Sequence, residues 1–477
     1  MPRRPLAPLA LCLLLLAPAA FAQTHPAGFD DALVAGGLDE PTTLAMTPDG
    51  KLLIGQRAGI IRVVDHGVLL PKPMITLTVE TYEEQGLIGV ALDPQFATRP
   101  YLYIFYTPWT GAQPAPASRV SRFTVQADTV VAGSEVVLLS PIPTGAGWHQ
   151  GGCVRTTPDD KLWVSIGDTS LGGTFGWTRM NDHLEGKLLR LNLDGSIPAG
   201  NPLVGVPGAR PEIWQKGFRN PFRFVLQAGT LQPYVDDVGL TTWEEIDRGA
   251  PNADFGWPTY EGPVTPQPAG VTNPIYAYPH DNSGASITGC AFASGAQFPA
   301  GYAGNLFFLE HSRGQIGRMV LDGANNVVSV TMPWGTTTGV GWGTGPVDLM
   351  TGNEGALYYT QFDGGQVRKI TYGSQAGIDP PDPTELALSF SAPRPNPSRG
   401  EVELSFGQPA AGHVRLAVYD PQGRLVRTLT DADLAAGPHY ATWDGADDAG
   451  RRVAPGIYLA RFEAHGTAFV RRVVRLD

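Results

Sequence analysis

Cysteine is nearly absent from this chain, with three residues in 477, at positions 12, 153 and 290. That is too few for a small domain framed by disulfides, and no cysteine stands at zinc-ligand spacing to a histidine. Charge is thin as well: charged residues make up 17% of the sequence, with 45 acids against 34 bases and a formal net charge of −11. Such an acidic chain does not follow a nucleic-acid backbone electrostatically. Long apolar runs are also lacking. The one candidate, residues 9–18, follows Arg3 and Arg4 and precedes Ala20-Phe21-Ala22. It is too short to cross a hydrocarbon layer of ~30 Å and reads as the core of a secretory signal peptide over residues 1–22, cleaved before Gln23. Loss of Arg3 and Arg4 takes the formal charge from −11 to −13. Cys12 leaves with the peptide, so Cys153 and Cys290 remain in an oxidising compartment; a disulfide between them and two free buried thiols both stay open.

What the chain has in abundance is glycine, 59 residues, and proline, 43. Together with the low charge this predicts an all-β chain of many short strands joined by turns. Three segments share one pattern of strand, tight turn and strand: residues 43–64, 153–167 and 347–370, turning at Pro48-Asp49-Gly50, Pro158-Asp159-Asp160 and Asn353-Glu354-Gly355. Recurrence at blade spacing, with further strand pairs between, predicts a β-propeller over residues 23–372. An array of β-sandwiches is the other architecture that such strands can build. Residues 373–386 are rich in proline and glycine and read as a linker. Beyond them, alternating runs predict about seven strands of a small immunoglobulin-like sandwich over residues 387–477.

Chemistry concentrates in two segments, Trp148-His149-Gln150-Gly151-Gly152 and Gly217-Phe218-Arg219-Asn220-Pro221. Imidazole titrates near neutrality, so a histidine held clear of the backbone by following glycines suits a general base. Arg219 would add a fixed cation from the next repeat. Read on their own, a surface histidine in a glycine-rich loop, an arginine in a blade-edge salt bridge and an asparagine in a turn explain the same residues.

Five ordered blocks change that balance. Residues 84–94 (EQGLIGVALDP), His149 to Gly152, Gly186-Lys187-Leu188-Leu189-Arg190, Gly217 to Pro221, and Glu244-Glu245-Ile246 leading to Phe255-Gly256-Trp257-Pro258 together resemble the soluble glucose/sorbosone dehydrogenase family. The resemblance runs from Leu38 to Ile370. It implies a six-bladed propeller that uses pyrroloquinoline quinone and calcium to oxidise an aldose sugar or related alcohol, passing electrons to an external acceptor. Carried over by position, His149 falls on the general base, Gln85 on a polar cofactor contact, and Arg219 and Asn220 on the residues facing the quinone carbonyls. Gly239 and Leu240 fall on the main-chain carbonyls that bind calcium. The tail resembles the flagellar hook-capping immunoglobulin-like family and is similar to C-terminal sorting domains of the type IX secretion pathway. It carries Pro395-Asn396-Pro397, Thr442-Trp443-Asp444-Gly445 and Pro455-Gly456-Ile457-Tyr458. This implies export or surface attachment, with secretion machinery as a partner.

The chain also departs from the family. Trp148 stands where some members carry an acidic residue, which leaves the base without its familiar orienting partner. The lysine and Arg-x-Arg pair that hold the cofactor's carboxylates in late blades find no counterpart: Ser312 occupies the lysine position, Arg313 is the nearest substitute, and Arg368 and Lys369 read as solvated strand charges. Two further readings follow, a noncatalytic propeller that binds carbohydrate or protein, and a calcium-dependent lactonase-like hydrolase built on Asp168 and Asn181.

Overall fold

In the computed structural model the description covers residues 25–373 apart from 282–283, 296 and 338–344. It also covers residues 388–476 apart from 391–392, 394–395, 397, 409 and 435–436. The signal-peptide and linker expectations lie outside the described residues. The chain divides into two compact units, one ending at Gly373 and one beginning at Ser374.

Among its described residues the first unit is six antiparallel sheets, each an up-and-down run of four principal strands, as a six-bladed propeller requires. The first strands of successive blades are Pro41–Met46, Leu87–Leu92, Val154–Thr157, Pro221–Leu226, Ile287–Phe292 and Pro346–Thr351. These short runs are mostly buried, and neighbouring ones pack against one another around the centre of the ring. The ring closes through its termini. Phe29–Ala35 pairs antiparallel with Gln366–Tyr372, so the first described strand becomes the outer strand of the last blade.

Glycines set how closely the blades approach. A Cβ on Gly89 would lie 2.0 Å from the Gly152 carbonyl, and one on Gly152 would lie 2.4 Å from Ile88 Cδ1. The first strands of the second and third blades can meet only because both positions lack a side chain.

Midway along the channel sits an ionic plug. Asp348, fully buried, accepts from Arg223 Nε at 3.2 Å and Arg155 Nη2 at 3.3 Å, and its other oxygen accepts from the Leu44 N–H at 2.8 Å. Arg223 also donates to the carbonyls of Thr42 (2.6 Å) and Ile88 (3.2 Å). One carboxylate and two guanidinium groups thus tie five of the six blades together on the axis. Cys153 and Cys290 are both buried and free, so the open disulfide question resolves to two thiols.

The second unit holds two sheets. One contains Val402–Gln408 and Gly437–Trp443; the other contains Gly412–Tyr419, Leu425–Leu434, Gly456–Ala464 and Thr467–Arg475. Trp443, Phe406, Phe462, Val414 and Leu416 form its core, with Trp443 Nε1 donating to the Ala446 carbonyl at 2.8 Å. It is an immunoglobulin-like sandwich.

Candidate active site

His149, Asp168 and Arg219 come from three turns at the same end of the propeller. His149 lies just before the first strand of the third blade, in the left-handed region with φ of 53°. A non-glycine residue held there is uncommon, and such strain accumulates at functional sites. Asp168 follows the second strand of that blade, Lys161–Ile166, and Arg219 lies just before the first strand of the fourth. The backbone locks these turns together, since the Asp168 N–H donates to the Arg219 carbonyl at 2.7 Å.

His149 Nδ1 is 2.7 Å from Asp168 Oδ1, and His149 Nε2 is 3.0 Å from Arg219 Nη2. Arginine can only donate, so Nε2 accepts and the ring proton sits on Nδ1, donated to Asp168. The network therefore selects the tautomer whose basic nitrogen faces Arg219. Asp168 is itself held from two sides: Oδ1 accepts the Ser170 N–H at 2.8 Å and Oδ2 the Trp257 indole N–H at 2.8 Å. Burial opposes ionisation of this carboxyl, but its bonds to His149, Ser170 and Trp257 outweigh the penalty and hold its pKa below the usual range. The expectation that the base lacks an orienting partner is overturned. The partner is Asp168, nineteen positions later in sequence, where spacing alone gave no sign of it.

Arg219 is fixed by four features. Nη1 donates to the carbonyls of Val238 (2.9 Å) and Gly239 (2.6 Å), Nη2 reaches His149, and the guanidinium lies 5.7 Å from the centre of the Trp257 ring. Its Nε is buried without a partner, an orphaned donor beside the base. The amides of Arg219 and Asn220 donate to the two oxygens of Asp237 at 3.0 and 2.7 Å, and Asn220 Oδ1 accepts the Gly151 N–H at 3.2 Å. Asp237 is thus the brace of the arginine turn.

The other residues singled out in sequence are placed differently. Gln85 is fully buried and its amide is engaged at both ends by Ala115, donating to the carbonyl at 2.9 Å and accepting the N–H at 3.2 Å. Arg313 donates to the carbonyls of Gly284 and Pro279, pairs with Asp281 at 3.2 Å, and lines a cavity of about 540 Å³ that none of His149, Asp168 or Arg219 borders. Ser312 lines the same cavity with its hydroxyl unpartnered. Arg368 pairs with Asp31 at 2.8 Å and Lys369 with Glu354 at 2.7 Å. Asn181 Oδ1 accepts from Lys216 Nζ at 2.8 Å, and Asp168 is committed to His149 and Trp257.

The donor set fits a quinone oxygen. A rigid guanidinium whose Nε has no partner stands next to an imidazole whose Nε2 accepts from Arg219 Nη2, a bond that an incoming polar group can replace. For a cation, Gly239 offers a carbonyl with one lone pair engaged by Arg219 and one left, while Leu240 is on the surface, 53% exposed. A narrow recess beside Gly239 is lined by Asp237, Glu245 and Glu261, whose oxygens are of the hard type that a dication such as calcium takes. Among the described residues no three His, Cys, Asp or Glu side chains converge at metal-ligand spacing. A cation here would rest on main-chain oxygens and on oxygens of a bound ligand. Burial raises Asp237 and Glu245, to about 7 and about 8, and their proximity adds to the rise in Glu245.

The chain is a six-bladed propeller that joins a histidine, an aspartate and an arginine at the start of its third and fourth blades. Residues 38–366 match the glucose/sorbosone dehydrogenase family model, and residues 395–467 match the FlgD immunoglobulin-like domain. The chain belongs to the glucose/sorbosone dehydrogenase family. It is 30% identical over 273 residues to quinoprotein glucose dehydrogenase B of Acinetobacter calcoaceticus, covering 52% of this chain and 56% of the relative. It is 27% identical over 288 residues to the aldose sugar dehydrogenase YliI of Escherichia coli, covering 57% of this chain and 76% of the relative. It is also 26% identical over 216 residues to mouse Hedgehog-interacting protein, covering 40% of this chain and 30% of the relative. The chain spans a little over half the length of the Acinetobacter relative. Among solved structures, an oxidoreductase (glucose dehydrogenase) of Thermus thermophilus superposes with a TM-score of 0.62 at 28% identity, over 72% of this chain and all of that one.

Proposed function

We propose that this protein is an exported quinoprotein dehydrogenase that oxidises an aldose sugar or a related alcohol, with His149 as general base. The observation that carries the reading is the Asp168–His149–Arg219 chain, which leaves one basic nitrogen beside one fixed cation.

His149 Nε2 takes the proton of the substrate hydroxyl, giving up the hydrogen bond from Arg219 as it does so. The imidazolium formed is stabilised by Asp168, which already holds Nδ1–H and cannot turn away while Trp257 and Ser170 grip it. Arg219 stays in place, because Val238 and Gly239 anchor its other nitrogen. Its charge then faces the oxygen on which negative charge develops, alongside Asn220. Pyrroloquinoline quinone, when bound against Arg219 and Asn220, supplies the hydride acceptor, and calcium at the Gly239 and Leu240 carbonyls supplies Lewis acidity. Gln85 acts from behind, by fixing the segment at Ala115. The immunoglobulin-like unit supports retention at the cell surface after export.

The test is dye reduction by the full chain with calcium and a panel of aldoses and alcohols, with and without added pyrroloquinoline quinone. The reading expects turnover that requires both quinone and sugar. Absence of turnover together with absence of calorimetric quinone binding would favour a binding propeller, a reading supported by the Hedgehog-interacting relative and by the placement of Arg313 away from Arg219.

A further inference from the structure

The channel has a second mouth. His149, Arg219 and Asn220 sit where first strands begin, whereas a cavity of about 600 Å³ opens where all six first strands end. Its walls include Leu44, Val90, Leu226, Ala291 and Leu349, one or more residues from each first strand except that of the third blade, which contributes Arg155 and Thr156. The volume lies inside the range of small-molecule sites, ~300–1,000 Å³. The wall hydroxyls are turned away from it: Thr156 Oγ1 donates to the Leu92 carbonyl at 2.5 Å and Thr351 Oγ1 to the Phe292 carbonyl at 2.7 Å. Asp93 on the wall is held by Arg99 at 2.8 Å. What is left is a cavity walled largely by aliphatic side chains, with one guanidinium, that of Arg155, among its lining.

That guanidinium carries charge to spare. Arg155 lines the cavity with its side chain 21% exposed, and donates within the protein only to the Val154 carbonyl and to Asp348. Asp348 is already the partner of Arg223, so the plug holds two cations against one carboxylate. The next acid, Asp236, does not correct the imbalance. It is fully buried beside Cys290, and burial raises its pKa well above the usual range, which weakens it as a counter-charge.

We propose that this second mouth binds a medium-chain aliphatic carboxylate, its head on Arg155 and its chain along the apolar walls. Charge complementarity fixes the head group, because a neutral amphiphile leaves the excess cation unmatched. The aliphatic side chains of Leu44, Val90, Leu226, Ala291 and Leu349 along the walls select an aliphatic tail, which removes apolar surface from water on both partners. The site is independent of the dehydrogenase reading.

The test is calorimetric titration of the full chain with sodium decanoate, below its micellar range, against decanol and acetate. The inference expects saturable binding of one decanoate per chain and at least tenfold weaker binding of both controls. Arg155→Gln should lose at least tenfold in decanoate affinity. Because that change touches the plug, Leu226→Glu on the half-buried wall provides a second variant, which should lose affinity by repulsion without disturbing Asp348. No saturable binding, equal binding of decanol, or full affinity in Leu226→Glu each overturns the inference. So does loss of decanoate binding in Arg219→Met, which would place the ligand in the other mouth.

Discussion

Arg219 Nη2 donates to His149 Nε2 across 3.0 Å, so the fixed cation of the site lies on the very nitrogen that the proposed reaction uses as base. The two can serve one reaction only if the substrate displaces this bond. The proton then goes to the histidine while the charge of the arginine is released toward the developing oxyanion. Each element that holds this pair is open to test.

Asp168→Asn keeps the size of the partner but removes the charge that holds Nδ1–H, and lets the amide present an N–H to the imidazole instead. We expect kcat with quinone and aldose to fall by about 10²–10⁴-fold, the scale of general-base and tautomer effects. Quinone affinity, read by spectral titration, should stay within about threefold. A kcat close to wild type would remove Asp168 from the mechanism.

Trp257→Phe removes the indole donor to Asp168 Oδ2 while keeping a ring under Arg219. That donor helps to hold the Asp168 carboxyl low, so its loss raises the pKa of Asp168. The titration of the Asp168 carboxyl, followed by NMR, should therefore move to higher pH in the variant, and an unmoved titration would mean that the indole does not hold the carboxyl low.

Asp237 and Glu245 have folded pKa values raised to about 7 and about 8, mainly by burial. A carboxyl raised on folding binds more protons folded than unfolded, so its stabilising effect is complete below its unfolded value near ~4 and is lost as pH rises. Without calcium, the thermal midpoint of the first unit should fall between pH 5 and 8, a window set by the ordinary carboxylate range of ~4 and the raised values. Glu245→Gln should flatten the fall. A midpoint that rises through this window would show that the pair is ionised in the folded protein.

Asp348→Asn tests the plug. Arg223, fully buried, and Arg155, partly exposed, would lose their shared carboxylate, a change that for the buried pair costs about 3–5 kcal/mol. Calorimetry should show the propeller transition lowered and the transition of the C-terminal unit unmoved.

The repeating strand, turn and strand units made the propeller legible in sequence, because Pro48-Asp49-Gly50 and its counterparts mark hairpins whatever surrounds them. The tail was legible for the same reason: Trp443, Phe406 and Phe462 fall at the inward positions of alternating runs. The site was legible only where chemistry sits next to a glycine signature, at His149 and Arg219. Asp168 and Asp237 carry no local mark, since one acts across nineteen residues and the other across seventeen, through turns that only the closed ring brings together. Gln85 shows the opposite case. Its motif is clear in the sequence, but its amide faces Ala115, a contact that no local pattern encodes.

The most direct measurement is a comparison of wild type and His149→Gln, each loaded with pyrroloquinoline quinone and calcium and mixed with an aldose in a single-turnover experiment. The account predicts that the variant binds quinone within about threefold of wild type but reduces it at least ~10³-fold more slowly, as removal of a base requires. Reduction at the wild-type rate by His149→Gln would contradict it.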